Sequence, residues 1–189
     1  MIDELLKYDT QLFHFLNNWG NENWDGLWLF ITNKWSSIPL YALLLYLVFK
    51  NFGLKVTLLI MFCAALMVTA SDQLANLFKH GFQRPRPCQV ADLEDTIRFI
   101  AERCGRYGFF SAHAASTMAV AVFLGLLFKK IYYYLIFILL FWAVLTGYSR
   151  IYLGVHYPFD VITGMFFGGI IGWFFYVLQS WARKRFAIF

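Results

Sequence analysis

The sequence has few charged residues for its length. Of its 189 residues, 14% are charged, 60% are hydrophobic and 21% are aromatic. A soluble domain usually carries about 25% charged residues, so this chain has too little polar surface to cover itself in water. The same composition excludes a disordered or collagen-like chain. It indicates an integral membrane protein with a single domain.

Cysteine is also scarce, and the three cysteines suggest no metal centre. Cys63 lies in an apolar run, where a buried cysteine acts as a small hydrophobic side chain. Cys88 and Cys104 lie in one polar loop, and His80 forms no zinc-type spacing with them. Two alternatives stay open for this pair, a disulfide in an oxidising compartment or two free thiols. No metal and no other cofactor is expected.

Five runs without charged residues reach spanning length when their flanking residues are included. A spanning helix needs about 20 mostly apolar residues. The sequence therefore predicts an all-α membrane bundle of five transmembrane helices. The second run reaches Phe78 if it tolerates the acidic Asp72. The runs are 35–49, 56–71, 107–128, 131–149 and 161–182.

Residues 1–34 are interpreted as an N-terminal segment, and residues 35–189 as one membrane domain. The segment does not begin like a signal peptide, because no basic stretch precedes an apolar core. Apolar residues at helical spacing predict an amphipathic interfacial helix, or an ordinary helix packed on the bundle. The uncharged run 26–33 is expected to extend the first span or to form a re-entrant segment. The spaced apolar residues are Leu5, Tyr8, Leu12, Phe15 and Trp19.

Basic residues collect on one side of the five-span topology. Seven Lys and Arg, and no acidic residues, share a face that is cytoplasmic by the positive-inside rule. The polar loops 79–113 and 149–160 then face outward, into the periplasm if the membrane is a bacterial inner membrane. This sorting accounts for the net charge of +5, so no nucleic-acid partner is expected. The seven residues are Lys50, Lys55, Lys129, Lys130, Arg183, Lys184 and Arg185.

Cationic side chains recur at the outward ends of the predicted spans. Lys79, Arg84, Arg86 and Arg150 would together suit a phosphate group, although each alone is equally explained as a helix anchor at the lipid head groups. Asp72 lies two helical turns before Lys79, and it is predicted to brace Lys79 or Arg150. Solvation of Asp72 at a span end is the alternative.

Two histidines lie beside these cations. Pro158 suits the first position of the fifth span, which places Asp160 in the first turn, within reach of His156. A carboxylate bonded to one imidazole nitrogen fixes the tautomer and leaves the other nitrogen to react. His113 lies at the predicted start of the third span. The two histidines suggest a nucleophile and a general acid, although capping or packing explains each of them alone.

The three polar segments together resemble the type-2 phosphatidic acid phosphatase family of membrane lipid phosphatases, which is related to vanadium haloperoxidases. That family's pattern is Lys, six residues, Arg-Pro; then Pro-Ser-Gly-His; then Ser-Arg, five residues, His, three residues, Asp. The first and third elements match, whereas Phe110 and Ala112 replace the Pro and Gly of the second. The matching residues are Lys79, Arg86, Pro87, Ser111, His113, Ser149, Arg150, His156 and Asp160.

The resemblance implies a metal-independent phosphatase that works through a phosphohistidine. His156 would attack phosphorus, Asp160 would orient it, and His113 would protonate the leaving group and then activate water. Arg84 would be an extra cation, which anchors its helix or contacts a second phosphate. Ser149 would have a supporting role. The phosphate oxygens would be held by Lys79, Arg86, Arg150, the Ser111 hydroxyl and backbone N–H groups near Ala112.

The expected substrate is a lipid phosphate or diphosphate in the outer leaflet, with undecaprenyl diphosphate as the first guess. Phosphatidylglycerol phosphate, phosphatidate and the lipid A phosphates stay open, because the sequence has no further domain that would select among them. A non-catalytic lipid-phosphate binder is the alternative from another class. It is motivated by the departures at Phe110 and Ala112.

Three glycines repeat every fourth residue in the fifth predicted span. They are Gly164, Gly168 and Gly172. Small residues at this spacing allow helices to approach closely in lipid. The contact is expected either within the bundle or between the protomers of a homo-oligomer.

Overall fold

The chain folds into helices joined by a structured polar loop. The computed structural model describes residues 2–33 and 35–187, so Lys34, at the end of the predicted N-terminal segment, lies outside the described residues. Within them the only β-structure is an isolated bridge between Pro85 and Tyr107. The same residues contain seven α-helices: α1 (Ile2–Asn18), α2 (Glu22–Thr32), α3 (Ile38–Phe82), α4 (Ala91–Glu94), α5 (Ala112–Phe128), α6 (Leu135–Tyr152) and α7 (Pro158–Arg185).

In the part of the chain that the structure describes, three helical segments are long and apolar enough to cross a membrane. They are Trp35–Phe82, which contains α3, and the helices α6 and α7. The 17-residue α5 is apolar but shorter. The structure therefore confirms an all-α membrane protein.

The long helix α3 is interrupted at Gly53. This residue has φ 73° and ψ 177°, a conformation that glycine adopts easily and other residues avoid. In a straight helix Tyr41 and Val68 would lie about 40 Å apart, yet both line one cavity. The chain therefore reverses direction at Gly53. We call residues 38–52 the first arm of α3 and residues 54–82 the second arm.

The glycine repeat packs α7 against α5 of the same chain. A Cβ added to Gly164, Gly168 or Gly172 would lie only 2.2 to 2.5 Å from a backbone oxygen on the α5 side. The glycines are therefore buried where two backbones touch. Of the two alternatives, the structure favours contact within the bundle. It leaves these glycines no surface for the homo-oligomer contact that the sequence also allowed.

The N-terminal helix α1 packs on α6 and α7 through one face only. That face carries the buried Asp9, Phe13 and Asn17. The opposite face carries the spaced apolar residues of the sequence prediction, all of which are exposed, as on an interfacial helix. The structure thus shows the packed helix of the second alternative, and the interfacial position of α1 stays a prediction. The exposed residues are Leu5, Tyr8, Leu12, Phe15 and Trp19.

The uncharged run 26–33 belongs mostly to the separate helix α2. This helix ends at Thr32, before the first membrane-length segment begins. Trp28 of α2 stacks on Tyr152 with ring centroids 5.2 Å apart and packs edge-on against Tyr148 at 4.9 Å. The prediction that this run extends the first span is therefore wrong, because its aromatic contacts dock α2 on α6 instead.

The polar loop between α3 and α5 is cross-linked. Cys88 and Cys104 form a disulfide with their Cα atoms 6.3 Å apart. Of the two alternatives for these cysteines, the structure shows the disulfide. The bridge between Pro85 and Tyr107 brings the two ends of the loop together beside the start of α5.

Candidate active site

His156 and Asp160 form a buried pair at the start of α7. As the sequence predicts, α7 begins at Pro158, where the missing N–H costs nothing. The Asp160 Oδ2 atom lies 3.3 Å from His156 Nδ1 and accepts a hydrogen bond of 3.1 Å from the backbone N–H of Tyr157. The two side chains are 3% and 0% exposed. The carboxylate thus fixes one imidazole nitrogen and leaves Nε2 for chemistry.

Three cations act on this histidine. Lys79 comes from the end of α3, Arg86 from the loop and Arg150 from the last turn of α6. Burial, and then the charges of these cations, hold the pKa of His156 well below 6.5, against a smaller opposing effect of a hydrogen bond with the Gly108 backbone. The imidazole is therefore neutral at neutral pH, which is the form that can act as a nucleophile.

Arg150 has a donor aimed at no protein acceptor. Its Nε is buried and has no hydrogen-bond partner among the residues that the structure describes. One of its terminal nitrogens donates to the hydroxyl of Thr32 at the end of α2. An unpaired buried donor is costly unless a ligand satisfies it, and a guanidinium suits an oxyanion. The contribution of Thr32 was not foreseen from the sequence, because the contact joins residues separated by 118 positions.

The first turn of α5 brings backbone N–H groups to the same site. Ser111 is its N-cap, and Ala112 is its first residue. The backbone N–H of Ser111 donates to the Asp160 carbonyl at 3.0 Å, which joins the starts of α5 and α7. The N–H groups in a first helical turn favour an anion. His113 lies in that turn and lines the adjacent cavity, as expected for an acid that meets the substrate.

Two loop glycines closely approach the charged side chains of the site. A Cβ on Gly108 would lie 2.9 Å from Asp160 Oδ2 and 3.3 Å from Arg86 Cγ. A Cβ on Gly105 would lie 3.2 Å from Arg86 Cζ. Arg86 is also held by a hydrogen bond of 3.0 Å from its Nε to the Tyr107 carbonyl. The loop backbone thus positions the cation that the motif spacing selects.

Phe110, which departs from the family pattern, is a packing residue. It is completely buried and stacks on Phe167 with ring centroids 5.3 Å apart. Phe78 packs edge-on against it at 5.2 Å. Ala112, the other departure, is the first residue of α5 and packs against the same cluster as Phe110. The departures that motivated the binder alternative are therefore accommodated by local packing.

Arg84 has a different role from either that the sequence suggested. Its guanidinium lies 3.1 Å from Asp160 Oδ1 and 2.7 Å from Asp9 Oδ2, and 4.0 Å above the ring of Tyr157. Both proposed roles for Arg84, the head-group anchor and the contact to a second phosphate, are corrected by these contacts. Asp9 was missed altogether. The repeat of Asp9, Phe13 and Asn17 at every fourth residue was the available signal for a buried face.

Asp72 and Ser149 form no described contact with the cations of the site. Asp72 is exposed and lines the cavity, and it forms no ion pair within 4.0 Å among the residues that the structure describes. The predicted bracing contact to Lys79 or Arg150 is therefore not formed, although the charges of Asp72 and Lys79 interact at longer range. Ser149 is buried, and its hydroxyl donates to the Thr146 carbonyl at 2.7 Å, so it supports its own helix.

A cavity of about 690 Å³ extends from the site between the arms of α3 and the helix α5. Most of its wall is aliphatic and aromatic, and its polar lining residues include His113. Such a cavity can take an apolar chain and present an attached polar group to the histidine. The polar wall residues include Thr32, Asn33, Ser37, Asp72, His113 and Ser116.

The donors at this site suit an oxyanion better than a metal ion. In the described ranges 2–33 and 35–187, no group of three or more His, Cys, Asp or Glu is placed to hold a metal ion. The converging groups are instead cationic side chains and N–H donors, which bind phosphate oxygens.

Comparison with known proteins places this arrangement in a family. The PAP2 superfamily model matches residues 56–184, which include all three polar segments. A lipid A 4'-phosphatase from Bacteroides thetaiotaomicron is 40% identical, over 98% of this chain and 83% of that protein. Another lipid A 4'-phosphatase, from Porphyromonas gingivalis, is 33% identical, over 97% of this chain and 78% of that protein.

A solved structure agrees with both the family and the fold. The crystal structure of Aquifex aeolicus LpxE superposes on 88% of this chain and 93% of that chain, with a TM-score of 0.68 and 27% identity. The family expected from the polar motifs is thereby confirmed. The chain belongs to the PAP2 superfamily, and it is a membrane lipid phosphatase.

Proposed function

We propose that this phosphatase cleaves its substrate through a phosphohistidine at His156. The observation that carries the proposal is the buried His156–Asp160 pair, whose Nδ1 and Oδ2 atoms lie 3.3 Å apart, beside the positive charges of three cations. Nε2 would attack phosphorus, and the bond from phosphorus to the lipid oxygen would break. His113 would give a proton to that oxygen. Water would then attack the phosphohistidine while His113 takes up its proton, which releases phosphate and restores both histidines.

Phosphate oxygens would be bound by the surrounding donors. Arg150 would use its unpartnered Nε, and Lys79 and Arg86 would add charge. The first-turn N–H groups of α5, beginning at Ala112, and the Ser111 hydroxyl would complete the site. Fixed donors of this kind stabilise a phosphoryl transition state without reorganising, because they are already in place.

The cavity supports a lipid substrate whose apolar part lies between the arms of α3. Its apolar wall would hold hydrocarbon, and the phosphorylated head group would lie near His113, which lines the cavity. We propose a phosphate of lipid A as the substrate, in place of the first guess, undecaprenyl diphosphate. The support is that the relatives at 40% and 33% identity are both named lipid A 4'-phosphatase.

We further propose five membrane spans with the site on the outward side. The spans would be the two arms of α3, then α5, α6 and α7, with α1 lying at the interface. Basic residues gather at the opposite end of this bundle, which the positive-inside rule makes cytoplasmic. In a bacterial inner membrane the site would then open to the periplasm.

The test is phosphate release by detergent-purified protein, in EDTA, from a panel of lipids. The panel contains lipid A, undecaprenyl diphosphate, phosphatidylglycerol phosphate and phosphatidate, with His156→Ala as the control. We expect fastest release from lipid A, undiminished by EDTA and absent in the variant. Faster release from another lipid would overturn the substrate assignment, and release by His156→Ala would overturn the mechanism.

A further inference from the structure

Two buried carboxylates share one guanidinium beside the active site. The side chains of Asp9 and Asp160 are both 0% exposed, and Arg84 bonds to Asp9 at 2.7 Å and to Asp160 at 3.1 Å. A buried carboxylate is costly unless it is paired. Because Asp160 already faces His156 through Oδ2, its Oδ1 is the atom that meets Arg84. The catalytic pair is therefore one end of a longer chain of charges.

Asp9 also holds the start of α7 directly. Its Oδ1 atom accepts a hydrogen bond of 2.9 Å from the backbone N–H of Phe159, the residue just before Asp160. The first N–H groups of a helix have no partner within the helix, so a carboxylate from another helix can cap them. Through its two oxygens Asp9 thus fixes both Arg84 and the helical turn that carries Asp160.

Because Arg84 pairs with Asp9 as well as with Asp160, the negative charge of Asp160 stays available to His156. When His156 forms a bond to phosphorus, its imidazole becomes positive, and the ionised Asp160 stabilises that charge. An arginine paired with Asp160 alone would neutralise more of its charge and weaken the stabilisation of the positive imidazole. Asp9 neutralises part of the Arg84 charge through its Oδ2 atom, and Asp9 is not among the described residues that line the cavity.

We propose that Asp9 is a positioning residue of this phosphatase, which holds Arg84 and the first turn of α7 so that Asp160 orients His156. This inference rests on the proposed role of His156 as the nucleophile. It makes the N-terminal helix α1 part of the catalytic assembly, although Asp9 acts only through Arg84 and α7.

The surroundings of the pair define what a charge change should do. The acidic limb of kcat/KM reports proton binding by the coupled His156–Asp160 pair in the free enzyme. A nearby negative charge favours the protonated pair and moves that limb to higher pH, whereas a nearby positive charge moves it to lower pH. The charged and titratable groups that face the pair, or lie on the elements packed against it, are Asp9 from α1, Lys79 from α3, Arg84, Arg86 and Tyr157 from the connecting segments, His113 from α5 and Arg150 from α6.

The experiment compares Asp9→Asn with Arg84→Gln, on whichever panel lipid the wild type hydrolyses fastest. Removing the negative charge makes the pair lose protons more readily, so Asp9→Asn should move the acidic limb to lower pH, by about one pH unit. Removing the positive charge should move it to higher pH. Both variants should lower kcat/KM by about 10- to 100-fold, as for the outer partners of metal-bound histidines.

A merely structural role predicts a different result. Both variants break the same ion pair, so loosening alone would move the acidic limb the same way in both. Asn17→Ala serves as the control, because Asn17 fixes α1 to the Ile151 and Tyr152 carbonyls without touching Arg84. We expect this variant to lower the unfolding temperature and leave the limb in place. If Arg84→Gln does not fold, the double variant Asp9→Asn/Arg84→Gln replaces it, and its limb should lie above that of Asp9→Asn.

The outcomes separate this inference from the function on which it rests. Shifts of opposite sign support the role of Asp9. Shifts of the same sign, or an Asp9→Asn limb that matches Asn17→Ala, overturn it while an inactive His156→Ala still upholds the nucleophile. Activity in His156→Ala, or no release by the wild type from any lipid, overturns the proposed function together with this inference.

Discussion

Replacing Gly168 by alanine should push α5 away from α7 and disturb the active site at its end. The added Cβ would lie 2.2 Å from the Ala115 carbonyl oxygen, and 2.8 and 2.9 Å from two carbons of the same backbone. Ordinary contacts begin near 3.4 Å, so the oxygen must move by about 1.2 Å. Because the three nearest atoms are all backbone, no side-chain rotation can relieve the clash, and overpacking of this kind costs about 1–3 kcal/mol.

The displacement should also lower activity. Gly168 meets α5 at Ala115, within about one turn of Ser111 and His113, and a misplacement of about 1 Å can cost about 100-fold in rate. The assay pairs thermal unfolding in detergent with phosphate release. Gly169→Ala is the matched control, since the nearest atom to its Cβ is Met118 Cγ at 4.0 Å. If Gly168→Ala were as stable and as active as Gly169→Ala, the close packing of α5 on α7 would be refuted.

Three further predictions concern the hydrogen bond to Arg150, the disulfide and pH. Thr32→Val removes the hydroxyl that holds Arg150 and should raise KM by about tenfold. Thr10→Val, which removes a hydroxyl that donates to the Leu6 carbonyl of the same helix, should leave KM unchanged. Equal KM values in the two variants would contradict the role of Thr32. The Cys88–Cys104 disulfide joins residues 16 positions apart, so its reduction should lower the free energy of unfolding by about 3 kcal/mol. A Cys63→Ala variant, which lacks only the free thiol, should respond to reduction in the same way. An unchanged unfolding midpoint after reduction would count against the disulfide. Burial and the charges of three cations hold the pKa of His156 well below 6.5, so below pH 6.5 the unfolded chain binds a proton that the folded protein does not, and the histidine's contribution to the free energy of unfolding declines. Burial raises the pKa of Asp160 to about 6, which acts in the opposite direction, so the histidine's effect is measured as a difference. The free energy of unfolding of the wild type minus that of His156→Gln should fall as pH falls below 6.5, and a constant difference would refute the depressed pKa.

The His156–Asp160 pair could be predicted from the sequence because its geometry is local. Pro158 begins α7 and Asp160 lies in its first turn, so the carboxylate is close to His156, two residues before the helix. The motif spacing also selected Arg86 over Arg84, and the structure gives the two arginines different partners. The gap between the first two predicted runs, residues 50–55, contains helix on both sides of Gly53, because one glycine suffices to reverse the chain.

The outer support of the site could not be predicted, because it depends on contacts distant in sequence. Asp9 bonds to a backbone N–H 150 residues away, and Thr32 bonds to a residue 118 away. The apolar pattern of α1 describes its exposed face, whereas the face that packs on the bundle contains the polar Asp9 and Asn17. A short-range pattern records which residues share a face but not what that face will meet.

The most direct test of the account is to trap the phosphorylated enzyme. In His113→Ala the second step should stall, since no group activates water, while p-nitrophenyl phosphate supplies a leaving group that needs no proton. After brief incubation, mass spectrometry should find one phosphoryl group on the peptide that contains His156, lost in acid and kept in alkali. A peptide without the group, or a group on Asp160 instead, would contradict the phosphohistidine mechanism.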